Sequence, residues 1–240
     1  MMGAGSWGTT FAKVLADGGN DVVLWARRED VVEDINDHHR NGDYLPGIDL
    51  PTCLTATTDA IEALRDADQV YLSVPSSALR QNLEAWGAHI PKNAIVVSLM
   101  KGVEQDTQMR MSEVIEDVLN WPKPQICVVS GPNLSAEIAQ EQPTASVAAC
   151  SSAANAAAVA SAATNDYFTT FTNRDVIGTE FGGILKNLIA VAIGIVNGVG
   201  YGQNTKASIM TRGLAEISRF AVAYGAKPNT MVGLAGLGDL

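Results

Sequence analysis

The run Gly3-Ala4-Gly5-Ser6-Trp7-Gly8 is spaced G-x-G-x-x-G and leads directly into the helix-like stretch Thr9 to Ala16. A loop of this kind turns tightly, lets backbone approach a pyrophosphate and packs a helix against a sheet. Alone it is a weak signal, because glycine clusters also mark ordinary turns. Its surroundings strengthen it. Gly18-Gly19-Asn20 stops the helix, and Asp21 to Trp25 then has the β-branched and aromatic character of a strand. Loop, helix and strand come in the order of a dinucleotide-binding unit. At the end of that strand stand Arg27 and Arg28. An acidic residue there would hold the ribose hydroxyls of NAD, whereas a cation accommodates the 2′-phosphate of NADP. The alternative is a solvated basic patch.

Three further segments carry polar groups where chemistry could occur. Ser98-Leu99-Met100-Lys101-Gly102 puts Lys101 at the carboxyl end of a predicted parallel strand, the edge at which open α/β sheets bind ligands. Lys101 there either holds a substrate oxygen or phosphate, or extends into solvent. Ser130-Gly131-Pro132-Asn133-Leu134-Ser135 is again a strand end followed by a helix start, suited to an anion or carbonyl oxygen, or else a plain turn capped by Asn133 or Ser135. The third segment, Gly182 to Ala190, is apolar almost all round and reads as a buried helix carrying Lys186. A buried ammonium is costly, so desolvation should lower its proton affinity toward a range useful for acid–base work, unless the side chain snorkels. Asp239, in the glycine-rich end Gly233 to Leu240, could orient Lys186 or a substrate hydroxyl.

Positioning these groups requires a sheet. Short apolar runs at Gln69–Val74, Ala94–Leu99, Ile126–Ser130 and Thr144–Ala148 alternate with helical candidates at Ala60–Ala67, Ser77–His89 and Thr107–Leu119. That alternation predicts a parallel, doubly wound α/β sheet with helices on both faces. The pattern changes near Thr172 to Asp175, and the residues beyond read as helix: Val176–Asn197, then Thr205–Tyr224. The expected division is a Rossmann-like domain over residues 1–174 and the first part of an all-helical domain over 175–240. Only Met1 and Met2 precede the loop, and the last residues stop in mid-element, so the chain is expected to be cut at both ends.

Composition narrows the function classes. With 240 residues, 47% of them hydrophobic, a sizeable core can form. The net charge of −10 opposes a nucleic-acid or anionic-membrane partner. Cys53, Cys127 and Cys150 lack metal-ligand spacing and fit free thiols in a reducing cytosol, with no metal site. The N-terminus lacks the features of a secretory signal, and Ile184 to Gly200 is interrupted by Lys186, Asn187 and Asn197, which favours a core helix over a membrane span.

Taken together, Gly3–Thr9, Leu99–Gly102, Ser130–Asn133, Leu185–Leu188 and Gly236–Leu240 closely resemble bacterial NAD(P)-dependent glycerol-3-phosphate dehydrogenases, in order along the whole chain. The resemblance implies reversible hydride transfer between NADPH or NADH and dihydroxyacetone phosphate, giving sn-glycerol 3-phosphate for phospholipid synthesis in a cytoplasmic enzyme that is commonly dimeric. It implies that Gly3, Gly5, Ser6, Trp7, Gly8, Arg27, Arg28, Tyr44 and Ser135 contact the cofactor. Lys101 would be shared by cofactor and substrate, Gly131, Asn133 and Asp239 would bind substrate, and Lys186 would be the proton acceptor. The family's later Ser-Arg-Asn stretch is not found in these residues. Two rival readings share the loop and sheet: a related dehydrogenase acting on a hydroxy acid or hydroxyacyl substrate, and an NADP-sensing module without catalysis.

Overall fold

In a computed structural model, which describes residues 1–240, the alternating runs form a twisted sheet with helices on both faces. The elements in chain order are α1 (Ser6–Asp17), β1 (Val23–Trp25), α2 (Glu29–His38), β2 (Thr55–Thr57), α3 (Ala60–Leu64), β3 (Gln69–Leu72), α4 (Leu79–Trp86), β4 (Ile95–Ser98), α5 (Met111–Leu119) and β5 (Ile126–Ser130). They continue with α6 (Ser135–Ala139), β6 (Thr144–Cys150), α7 (Ala153–Ala162), β7 (Phe168–Asn173), α8 (Val176–Val199), α9 (Gln203–Ala223) and α10 (Pro228–Met231). Strands β2 (Thr55–Thr57) and β7 (Phe168–Asn173) add to the runs expected from the sequence.

The strands pair in the order β2-β1 and β3-β4-β5-β6-β7, and the gap between β1 and β3 is filled by the first residues of the chain. Met2 N donates to Tyr71 O at 2.8 Å and Ser73 N to Met2 O at 2.9 Å. On the other side, Trp25 N donates to Met1 O at 2.8 Å and Gly3 N to Trp25 O at 3.2 Å. Met1 to Gly3 thus act as a short central strand feeding the glycine loop. Met1 N also donates to Val23 O at 2.8 Å.

Side chains of the central strands alternate between two cores, as the two-residue period requires. Tyr71, Val97 and Cys127 pack with Phe11 of α1 and Val159 of α7, while Val70, Leu72 and Val96 pack with Leu79 and Leu83 of α4 and Ile115 of α5. The sheet is mixed rather than wholly parallel, because β6 runs antiparallel to β5 and β7 then runs parallel to β6. The five residues of α6 advance about 7.5 Å, and β5 of equal length about 16 Å. Such a helix cannot return the chain to the opposite edge, so β6 starts where β5 ended.

Helix α8 departs from its expected burial. Gly178 to Gly183, Ile189 and Val196 are buried, but Leu188, Val191, Ile195 and Val199 are 60–69% exposed. It packs on β5, α9 and α10 along one stripe, and no other element of residues 1–240 covers the opposite stripe. By length and composition α8 is also apolar enough to cross a membrane. Its first turns are fixed to the start of α5 by buried Glu180, which accepts from Ser112 N at 2.9 Å and from Ser112 Oγ at 2.6 Å and pairs with Arg110. Burial pushes the Glu180 carboxyl above its usual range, against the pull of Arg110 and Ser112.

Candidate active site

The carboxyl ends of β1, the Met2 link, β3, β4 and β5 lie along one edge, and the strand order reverses between the Met2 link and β3. A crevice at that switch point is where open α/β sheets take ligands. Here it is a cleft of 690 Å³ bounded by the glycine loop, the end of β1, the segments after β3 and β4, and Asn133.

The three loop glycines do different work. Gly3 has φ of +117°, and a Cβ on it would come within 2.5 Å of Ser73 O. A Cβ on Gly8 would meet Gly3 O at 1.9 Å, so α1 can start against the sheet only with glycine there. Nothing lies within 4 Å of a Cβ on Gly5, which leaves open space above the loop and the N-terminus of α1. That opening, with free N–H groups at a helix start, fits the pyrophosphate of a dinucleotide. Asn41 braces the loop by donating to Ala4 O at 3.1 Å and Thr9 Oγ1 at 2.8 Å, a support with no local sequence signal.

Of the residues expected to meet a cofactor, Gly3, Gly5, Trp7, Arg27, Arg28, Tyr44 and Lys101 line the cleft. Arg28 is already engaged by Asp30 and by Asp43 at 2.7 Å, whereas Arg27 makes no ion pair and remains available to an anion. Three expected residues stand apart from the lining. Gly8 is packed under the loop, and Ser6 is exposed and donates to Tyr44 O at 2.7 Å. Ser135 begins α6, where its carbonyl accepts from Thr10 Oγ1 at 3.4 Å.

Behind Lys101, which closes the cleft with Asn133, three groups from three distant segments meet. Lys101 follows β4, Lys186 is on α8 and Asp239 is in the last turn. Asp239 accepts from Lys101 Nζ and from Lys186 Nζ at 2.5 Å each, one ammonium on each carboxylate oxygen, and its side chain is only 2% exposed. Lys101 also donates to Gly131 O at 3.0 Å. Burial lowers the proton affinity of Lys101, Asp239 pulls it back up, and the nearby Lys186 ammonium lowers it again. Lys186 itself is 20% exposed, less enclosed than a helix buried all round would make it. Two ammonium groups against one carboxylate leave a local positive charge in a chain of net charge −10. Such a cluster suits an anionic substrate, and an ammonium there can exchange a proton with an oxygen.

Two glycines that local pattern does not single out make this convergence possible. A Cβ on Gly183 would lie 2.8 Å from Ser130 Oγ and 3.3 Å from the Lys101 stem, and one on Gly182 would lie 2.0 Å from Ala235 O. Only bare backbone lets α8 approach both the end of β5 and the Asp239 turn. Ser130 Oγ and Asn133 Oδ1 are buried without a partner beside this cluster. Asn133 donates to Ser146 Oγ at 3.4 Å, and Ser146 Oγ donates to Ser130 O at 2.9 Å, so β6 braces the loop.

The sequence model for the NAD-dependent glycerol-3-phosphate dehydrogenase N-terminus matches residues 1–156, and that for the C-terminus matches residues 175–240. The chain belongs to this family. A glycerol-3-phosphate dehydrogenase [NAD(P)+] of Leifsonia xyli is 64% identical over 240 residues, covering all of this chain and 65% of the relative. One from Corynebacterium diphtheriae is 57% identical over the same length, covering 72% of the relative. The chain therefore spans about two thirds of the length of these glycerol-3-phosphate dehydrogenases. Among solved structures, the glycerol-3-phosphate dehydrogenase of Coxiella burnetii superposes with a TM-score of 0.92 at 34% identity, over 100% of this chain and 73% of that one. Membership of the family supports the α/β dinucleotide-binding fold and NAD or NADP as the cofactor type.

Proposed function

We propose that this chain carries the dinucleotide cleft and reaction centre of an oxidoreductase that reversibly reduces dihydroxyacetone phosphate to sn-glycerol 3-phosphate, feeding glycerophospholipid synthesis. The observation that carries the reading is the Lys101–Asp239–Lys186 cluster at the end of a dinucleotide-sized cleft. The names of the relatives point to the same chemistry. The proposed division is a sheet domain over residues 1–174 and a helical domain over 175–240, in keeping with the extents of the two family matches.

A nicotinamide dinucleotide, when bound, supplies or accepts the hydride. The open backbone above Gly5 would hold its pyrophosphate, and free Arg27 would meet a 2′-phosphate, favouring NADP over NAD. Lys186 donates its proton to the substrate's carbonyl oxygen, or recovers it in the reverse direction. Lys101 orients the same substrate between Gly131 and Asn133, and Asp239 sets the spacing of the two ammonium groups. Positioning and charge stabilisation then supply most of the rate. The same reading includes a cytoplasmic setting, consistent with three free thiols, and a homodimer, which sedimentation would test.

The test is oxidation of NADPH, and of NADH in parallel, with and without dihydroxyacetone phosphate. Substrate-dependent oxidation is expected, and Lys186→Met should abolish it while dinucleotide binding persists. Wild-type-like turnover by Lys186→Met would remove Lys186 from the mechanism. Equal use of unphosphorylated ketones would remove the substrate assignment.

A further inference from the structure

Two of the three cysteines lie away from the cleft and face each other. Cys127 in β5 and Cys150 in β6 are direct partners in the antiparallel register, so both side chains leave the sheet on the same face. Both are fully buried in the same apolar cluster. Opposed residues of an antiparallel pair have Cα atoms about 4.5 or 5.5 Å apart, and disulfides accept about 4.4–6.8 Å. Their Cβ atoms are typically about 4.5–5.5 Å apart, at or beyond the upper end of the usual disulfide range of about 3.5–4.5 Å. A bond here would draw the strands together locally and would be easily reduced.

The surroundings assign the two sulfurs different parts. Cys150 ends β6, next to exposed Ser151, and its thiol donates to Pro124 O at 3.2 Å across the turn Lys123–Gln125. Cys127 stands opposite Cys150 in the register, and the pairing raises the proton affinity of the Cys127 thiol and lowers that of Cys150, with backbone N–H groups of Ser152 and Ser151 assisting. The third cysteine, Cys53, is exposed and far along the chain from both.

We propose that Cys127 and Cys150 form a reversible dithiol–disulfide site that reacts with small hydroperoxides. The Cys150 thiolate attacks one oxygen of hydrogen peroxide and breaks the O–O bond. The peroxide proton and the proton released by Cys150 leave with the expelled oxygen as water, and Cys150 becomes a sulfenic acid. The Cys127 sulfur then attacks the Cys150 sulfur. Its proton leaves with the departing hydroxyl as a second water, so one peroxide is reduced to two waters and two thiols are oxidised to one disulfide. Both sulfurs are fully buried, so a peroxide little larger than water must enter as the strand end at Cys150 opens locally, and bulky disulfides are excluded. The link would tighten β5 against β6 three residues before Ser130, in the strand pair that braces Asn133. This site does not depend on the reading of the cleft.

The experiment uses the Cys53→Ser protein, in which only the paired thiols remain. After treatment with hydrogen peroxide and quenching, the protein is denatured, alkylated with iodoacetamide and weighed intact. Untreated protein is expected to take up two alkyl groups. Treated protein is expected to take up none, to recover both after reduction, and to yield a peptide containing Cys127 joined to one containing Cys150. Cys127→Ser in the same background should leave Cys150 as a sulfenic acid that dimedone traps. Retention of either alkylation site, or oxidation to sulfinic acid without a joined peptide, would overturn the proposal.

Discussion

Asp239→Asn removes the single charge that separates two ammonium groups while keeping the side chain's shape. The carboxylate accepts two charge-assisted hydrogen bonds, each contributing about 1.5–3 kcal/mol, and the amide oxygen can retain one bond from a charged ammonium, again about 1.5–3 kcal/mol. The difference, one such bond, is about 1.5–3 kcal/mol. Lys101 and Lys186 are 23% and 20% exposed, so water relieves part of their uncompensated charge and the low end, about 1.5–2 kcal/mol, is expected. For a chain of this length that corresponds to a melting temperature lower by about 3–8 °C. The pH dependence supplies an independent check. Because the folded state lowers the proton affinity of Lys101 below its usual 10.5, the unfolded state binds more protons between the folded pKa and 10.5. Stability contributed by this group therefore rises with pH across that window. Without Asp239 the Lys101 affinity falls further, so the rise should begin at lower pH in the variant. Urea unfolding at a series of pH values measures both effects. A loss under about 0.5 kcal/mol, with a pH dependence matching the wild type, would refute the account of a carboxylate clamped between two ammonium groups.

Arg27→Ala should weaken NADPH binding by about 1.5–3 kcal/mol and leave NADH binding nearly unchanged, because Arg27 has no carboxylate partner. Arg28→Ala, which mainly frees Asp30 and Asp43, should change the NADPH-to-NADH ratio much less; fluorescence of Trp7 and Trp25, both in the cleft wall, reads each affinity. Glu180→Ala leaves Arg110, 12% exposed, without its buried partner and should cost about 3–5 kcal/mol in urea unfolding. Glu180→Gln, able to keep the Ser112 contacts, should cost less, and equal losses would contradict a charge-based link between α8 and α5. Gly8→Ala forces a Cβ to within 1.9 Å of a backbone oxygen and should cost at least about 1–3 kcal/mol with loss of dinucleotide binding, whereas Gly5→Ala should fold normally and lose binding alone. Thermal unfolding beside a binding titration separates the two.

Much of the sheet is legible in the sequence because its signals are local. Ile126–Ser130 is a short β-branched run bounded by turn residues, and it forms a strand over those same residues. The strand Phe168–Asn173 shows no alternation of residue type, since Phe168 and Thr170 are buried while Thr169 and Phe171 are exposed, so one Phe and one Thr fall on each face. Thr55–Thr57 is three residues long and too short for any periodicity to register. Burial of α8 differs from expectation for a different reason. Its composition is apolar on every side, but composition records what a helix could bury and not which neighbours reach it.

The sequence by itself determined the family, the glycine loop, the strand-and-helix alternation and the identities of the charged residues, because each depends on residue type and local spacing, and the family on the order of such local motifs along the chain. Tertiary structure decided what those residues do to one another. Asp239 is 138 positions from Lys101 and 53 from Lys186, yet it touches both, because Gly182 and Gly183 let α8 approach β5 and the last turn. Arg27 and Arg28 are adjacent and identical in type, and only the folded loop that brings Asp43 to Arg28 leaves Arg27 free. Cys127 and Cys150 become partners through the antiparallel return of β6, which results from a helix too short to carry the chain back across the sheet. Pairing across such separations depends on strand order and close backbone approach, which no local spacing encodes.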